Sequence, residues 1–208
     1  MVINWYGEGC FKVQSGEISI MIDPFGPETG LQTPRSKTNA VLKTASEYPP
    51  LYETTVATLI AGPGEYDIQG IKITGWPAGE NSKGGKERTG LLKTVYRVIM
   101  EDISLGFLGN LSAMPAPEIM EEFGQTDVLF APAGGEPFLS QENAAKLIKQ
   151  IGPKIVVASF FKIPGLKRKA SDVKEFLKEL GRSAEPAEKL VLKKKDLPPQ
   201  MTAAVLKA

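Results

Sequence analysis

The apolar residues of this chain come in short bursts. Runs such as "EISIMID", "ISLGFLGN", "DVLFAPA" and "KIVVASFF" are strand-sized and are bounded by Gly, Pro, Asn or Asp. Apolar runs of that length, rich in β-branched and aromatic residues and punctuated by turn formers, read as strands. None approaches the roughly 20 apolar residues of a membrane-spanning helix. Up to Arg97 the pattern is almost continuously β, with a hairpin expected at Ser15-Gly16. Beyond it, strands alternate with three helical patterns. "APEIMEEFG" carries Pro117 in its first turn and Gly124 as a stop. "LSQENAAKLIKQIG" has Ser140 as N-cap, apolar residues at 144, 145, 147, 148 and 151, and Gly152 past its end. "SDVKEFLKELG" has Ser171 as cap, a stripe of Val173, Phe176, Leu177 and Leu180, and Gly181 as stop. Two short strands near "KLVLK" and "TAAVL" close the chain. A strand-rich first half followed by strand–helix alternation predicts a mixed α/β protein, with sheet on sheet or sheet between helices.

At 208 residues and 42% hydrophobic, the chain can bury a full core, and one domain spanning 1–208 is expected. Its 25 basic and 24 acidic residues leave a net charge of +1, so no overall field draws it to nucleic acid or anionic lipid. Neither nucleic acid nor a membrane is expected as a partner. The start, "MVINWYGEGC", lacks the basic and apolar regions of a signal peptide. Cys10 is the single cysteine, which excludes an internal disulfide and a cysteine-cluster metal site and suits a reducing, cytoplasmic compartment. A lone cysteine beside Phe11 reads as a small core residue before it reads as a nucleophile.

The count that most limits the chemistry is histidine, of which there is none. The chain therefore has no side chain titrating near neutrality at its ordinary pKa, no Ser-His or Cys-His nucleophile, and no imidazole metal ligand. Three loops are long or polar enough to frame a site: 26–39, 77–90, and "KTASEYPP", which follows the strand "AVLKT".

Taken together and in order, "INWYGEGCFKVQSGEISIMIDPFG", "TNAVLKTASEYPP", "AGPGEYDIQGIKITG", "KTVYRVIMEDISLGFLGNL", "DVLFAPAGG" and "IGPKIVVASFFKIPG" resemble the metallo-β-lactamase superfamily. Within it, the chain looks like the ascorbate-6-phosphate-lactonase-like group of zinc hydrolases. The resemblance implies an α/β fold, a four-layer αβ/βα sandwich with a metal site at one edge between two sheets. Asp23-Pro24-Phe25 matches the family's Asp-Pro-Phe. The remaining metal-site positions depart from the pattern. In the Thr-His-x-His-x-Asp-His loop the histidines correspond to Ala45 and Glu47, the aspartate to Pro49 and the last histidine to Pro50. The middle-strand aspartate corresponds to Asn110, with Ala113 near a further histidine position. Phe160 stands for the late histidine and Glu8 for the histidine of the first Gly-His motif.

A catalytic zinc needs at least three protein ligands and an open position for water. Ala, Pro and Phe provide no lone pair, so no metal or other cofactor is expected, the family alternative being zinc or another divalent cation. Asp23, Glu47 and Glu65 remain as weak catalytic candidates, each with a plain structural role as a turn former or solvated acid. Glu8 is expected to pair with Lys43, Lys162 or Arg88, and a Glu8–Asp23 or Glu47–Asp23 pair is the arrangement that acid/base work would need. Two functions follow. One is a metal-free, inactive protein with a binding, assembly or regulatory role toward an unknown small molecule or protein, with self-association as in the resembling group. The other is hydrolysis of a small phosphorylated or lactone substrate by carboxylates, with or without a hard cation.

Overall fold

The computed structural model of the protein describes residues 1–48, 58–78 and 90–208. In chain order its strands are β1 (Val2–Trp5), β2 (Phe11–Ser15), β3 (Ile18–Ile22), β4 (Ala40–Lys43), β5 (Ala45–Tyr48), β6 (Thr58–Ala61), β7 (Gly64–Ile68), β8 (Ile71–Ala78), β9 (Gly90–Met100) and β10 (Ile103–Phe107). Then come α1 (Pro117–Phe123), β11 (Val128–Pro132), α2 (Gln141–Ile151), β12 (Ile155–Ser159) and α3 (Val173–Leu180), followed by β13 (Pro186–Ala187), β14 (Leu190–Val191) and β15 (Thr202–Leu206).

These make the expected mixed α/β sandwich of two sheets. The first runs β14-β1-β2-β3-β4-β6, and the second runs β13-β15-β12-β11-β10-β9-β8-β7 with β5 added on β9. In the first sheet β1 and β2 alternate half-buried and buried positions, as a sheet with one covered face requires. In the second, β11 and β12 are buried at every residue, as strands covered on both faces must be. The core between the sheets includes Ile3, Phe11, Ile20 and Leu42 on one side and Val98, Leu105, Phe107 and Phe130 on the other. Phe11 meets Phe130 edge-on across that interface, with ring centroids 4.7 Å apart, and Phe130 stacks on Phe107 at 4.3 Å.

The two longer helices form where the sequence places them. Ser140 Oγ accepts from the Asn143 N–H at the start of α2, which buries Ala144, Ala145, Leu147, Ile148 and Ile151. α3 buries Phe176, Leu177 and Leu180, but its cap is Asp172, not the expected Ser171. The Asp172 carboxylate accepts from the Lys174 N–H, while the Ser171 backbone is tied to Gly134 and Lys162. No helix among the described residues is long and apolar enough to cross a membrane.

Three loop expectations are corrected. Ala45–Tyr48 is not loop but β5, which pairs with residues 90–93 of β9. The reason is the length of β9: β10 pairs only with 96–100, leaving the first part of that edge open. "PGEYDIQ", whose Pro, Gly and Asp read as a turn between strands, supplies β7, which forms a hairpin with β8. Pro77 and Ala78 extend β8 and Gly90 opens β9, so both ends of the expected 77–90 loop are strand, and residues 79–89 lie outside the described residues. Pro49, Pro50 and Arg88 lie outside them as well.

Candidate active-site cleft

A cleft of about 420 Å³ opens at the ends of β3, β4 and β12, and five expected positions line it: Glu8, Asp23, Ala45, Asn110 and Phe160. Lys43, Phe138, Lys167 and Arg168 complete much of the wall. The other candidates are elsewhere. Glu47 and Glu65 are exposed on β5 and β7, Ala113 is exposed between β10 and α1, and none of the three lines the cleft. Neither expected carboxylate pair supplies Asp23 with its partner; Thr44 and Asn110 do.

Asp23 follows β3 and is held as an acceptor. Its Oδ1 accepts from the Thr44 N–H at 2.7 Å, and its Oδ2 accepts from the Thr44 hydroxyl. Having donated its proton to Asp23, Thr44 Oγ1 accepts from Asn110 through Nδ2 at 2.9 Å and through the backbone N–H at 3.2 Å. The order of donation is therefore Asn110 to Thr44 to Asp23. Gly109 makes it feasible: it sits at φ 50°, and a Cβ there would lie 2.1 Å from Thr44 Oγ1. Burial pushes the Asp23 pKa up to about 6, against the opposing pull of the Thr44 hydrogen bonds and of Lys43. The residue as a whole is half-buried, and its carboxyl is the desolvated part. Behind it, burial and the Asp23 charge raise the Cys10 thiol pKa, so it stays protonated and is no nucleophile.

Glu8 is paired, but not with Lys43, Lys162 or Arg88. Its two oxygens accept from Arg168 Nε at 3.2 Å and Nη2 at 3.0 Å, a bidentate ion pair that closes one wall. Arg168 Nη2 also donates to the Phe160 carbonyl at 2.6 Å, and its guanidinium lies 5.0 Å from the Phe138 ring centre. Phe160 is buried against Phe138, with centroids 4.2 Å apart. Its ring reaches Gly9 so closely that a Cβ there would lie 2.4 Å from Cζ and 3.2 Å from Asp23 Oδ2. Glu8, Asp23 and Phe160 adopt φ values of 49°, 43° and 59°. Positive φ at a non-glycine residue is strained, and such strain gathers at functional sites. Among the described residues, the other three of this kind, Gln69, Glu101 and Asp102, sit in the β7–β8 and β9–β10 turns.

Comparison with known proteins gives this cleft its context. A family described as "Beta-lactamase superfamily domain" matches residues 2–159. The chain belongs to this family. A UPF0173 protein of Pyrococcus abyssi is 27% identical over 176 residues, covering 76% of this chain and 81% of that one. A UPF0173 metal-dependent hydrolase of Thermococcus onnurineus is 26% identical, covering 62% of this chain and 57% of that relative. Among solved structures, a metallo-β-lactamase superfamily protein of Thermotoga maritima superposes with a TM-score of 0.78 at 24% identity, over 99% of this chain and 97% of the other. The metallo hydrolase Igni18 of Ignicoccus hospitalis gives 0.65 at 18% identity, over 92% and 99%. The fold is that of the metallo-β-lactamases.

The β-lactamase superfamily fold implies a metal, and the residues at this cleft do not fit one. Ala45 and Phe160 offer no donor atom. Both Asp23 oxygens are occupied by Thr44, both Glu8 oxygens by Arg168, and the Asn110 amide nitrogen faces Thr44. Among the described residues, no three His, Cys, Asp or Glu side chains are placed to hold an ion. Sequence reasoning missed Thr44, Phe138, Lys167 and Arg168. Thr44 stood within "KTASEYPP" beside a motif position, whereas Arg168 lies 160 residues from Glu8 in sequence, beyond the reach of any local pattern.

Proposed function

We propose that this chain is a metal-free, non-hydrolytic member of the β-lactamase superfamily, retained for a binding, assembly or regulatory role. The observation that carries this reading is the closed set of hydrogen bonds and ion pairs around Asp23, Thr44, Asn110, Glu8 and Arg168, with Phe160 packed over it. The Asp23 and Glu8 carboxylates already have partners within the protein, and Ala45 and Phe160 have no side-chain donor. The chain acts as one domain over 1–208, since β13, β14 and β15, past the matched region, complete the two sheets. The buried, protonated Cys10 suits a reducing, cytoplasmic setting. The test is elemental analysis of protein purified without added metal, together with melting curves with and without chelator. Well under one zinc per chain and an unchanged Tm are expected; near-equimolar zinc overturns the proposal.

One observation favours a second reading, a carboxylate-based hydrolase: Asp23 titrates near 6 while lining an open cleft beside Lys43. A panel of phosphorylated and lactone substrates with Mg²⁺, Mn²⁺ or Ca²⁺ tests it. Turnover abolished by Asp23→Ala supports it, and turnover indifferent to that change, or none at all, rules it out.

A further inference from the structure

Next to the cleft lies a larger cavity, of about 750 Å³, that the family pattern does not account for. It lies between the loop segment 30–35, the turn after Phe161 and the last strand, β15. Its floor is aromatic and aliphatic. Trp5 and Phe161 are buried with ring centroids 4.6 Å apart, and Val205 and Leu206 extend the apolar surface. Leu31 and Ile163 wall it on the cleft side. The volume lies within the ~300–1,000 Å³ of small-molecule sites, and an apolar interior with few polar groups is their usual lining.

The polar groups decide which small molecule. Arg35, Lys207 and Ala208, which carries the terminal carboxylate, line the cavity, and no acidic side chain does. Lys207 is already paired, its ammonium 2.6 Å from Glu188 Oε1. Arg35 is exposed, and no hydrogen bond or ion pair joins its guanidinium to any other described residue. A planar cation with unfilled donors at the mouth of an apolar pocket fits a carboxylate or phosphate whose carbon body enters the pocket. We infer that this pocket binds a small amphipathic anion: an aromatic or alkyl body bearing one carboxylate or phosphate that Arg35 receives. The inference stands on a different cavity from the Asp23 cleft and is independent of whether that cleft is catalytic.

Calorimetric titration of the full chain with 1-naphthoate, 1-naphthyl phosphate and the neutral 1-naphthylmethanol tests it. The expected result is saturable one-to-one binding of at least one anion, about fivefold tighter than the alcohol. Which anion is tighter identifies the headgroup. Arg35→Ala should remove that preference while leaving the alcohol's affinity unchanged, a pattern that general loosening of the fold would not give. Val173→Trp, at the half-buried start of α3 where it lines the pocket, should abolish binding of all three; should that variant fail to fold, Arg35→Ala decides alone. Lys43→Ala, in the other cleft, should leave binding intact. Absence of saturable binding by either anion, equal affinity of anion and alcohol, or loss of binding in Lys43→Ala overturns the proposal.

Discussion

The cleft and the pocket are built from the same three stretches of chain, roughly residues 5–9, 24–35 and 160–168, with Phe160 lining one and Phe161 the other. Their polar atoms behave in opposite ways. In the cleft Asp23, Thr44 and Asn110 are tied to one another and Glu8 to Arg168; at the pocket mouth the Arg35 guanidinium makes no hydrogen bond or ion pair with another described residue. A buried polar atom with a partner holds structure together, and losing that partner costs stability. An exposed donor without one contributes little to folding and remains open to a ligand. The contrast teaches that neighbouring sites can differ in where their polar atoms are engaged, and the positive φ values of Glu8, Asp23 and Phe160 fall on the internally paired side.

Substitutions and pH should separate the two regions by the size of their effect. The largest is expected for Phe160→Ala, which removes a buried ring packed on Phe138 and Gly9: about 3–4 kcal/mol of stability by denaturant unfolding. A loss under 1 kcal/mol would mean that the packing of this ring contributes little to the fold. Next comes Asp23. Its folded pKa of about 6 lies above the ordinary aspartate value of 3.8. Stability from this group is thus fully present below about 4 and falls as pH rises through about 6, by about 2–3 kcal/mol. Melting curves from pH 4 to 7 should show the decline, and Asp23→Asn should flatten it. Arg168→Ala, which leaves the largely buried Glu8 carboxylate without its partner, should cost about 1–2 kcal/mol, less in high salt if solvent enters. The smallest effect belongs to Arg35→Ala, expected within about 0.5 kcal/mol of the parent. A larger loss would show that Arg35 also serves the fold and would erase the contrast.

Much of the fold was legible because its signals are local. The helical stripe at 144, 145, 147, 148 and 151 faces the core as its spacing predicts, and the hairpin at Gly16 forms. The failures involved edges. Nothing within "TASEYPP" indicates that part of β9 is left unpaired by β10, so the strand β5 read as a loop. Ser171 is as good a cap by type as Asp172, and only the path of the chain past Gly134 decides between them. In the site, residue type showed what was missing, since Ala45 and Phe160 have no donors wherever they point. It could not show that Asp23 joins Thr44 and Asn110 instead of Glu47.

By itself the sequence determined the chemistry that is absent, because a chain without imidazole lacks that donor in every conformation, and it determined the order of strands and helices, because apolar period is a near-neighbour property. The tertiary structure alone decided the partners. Glu8 and Arg168 are 160 positions apart and Asp23 and Asn110 are 87, so their meeting depends on how two sheets and their connections pack, which no local spacing encodes.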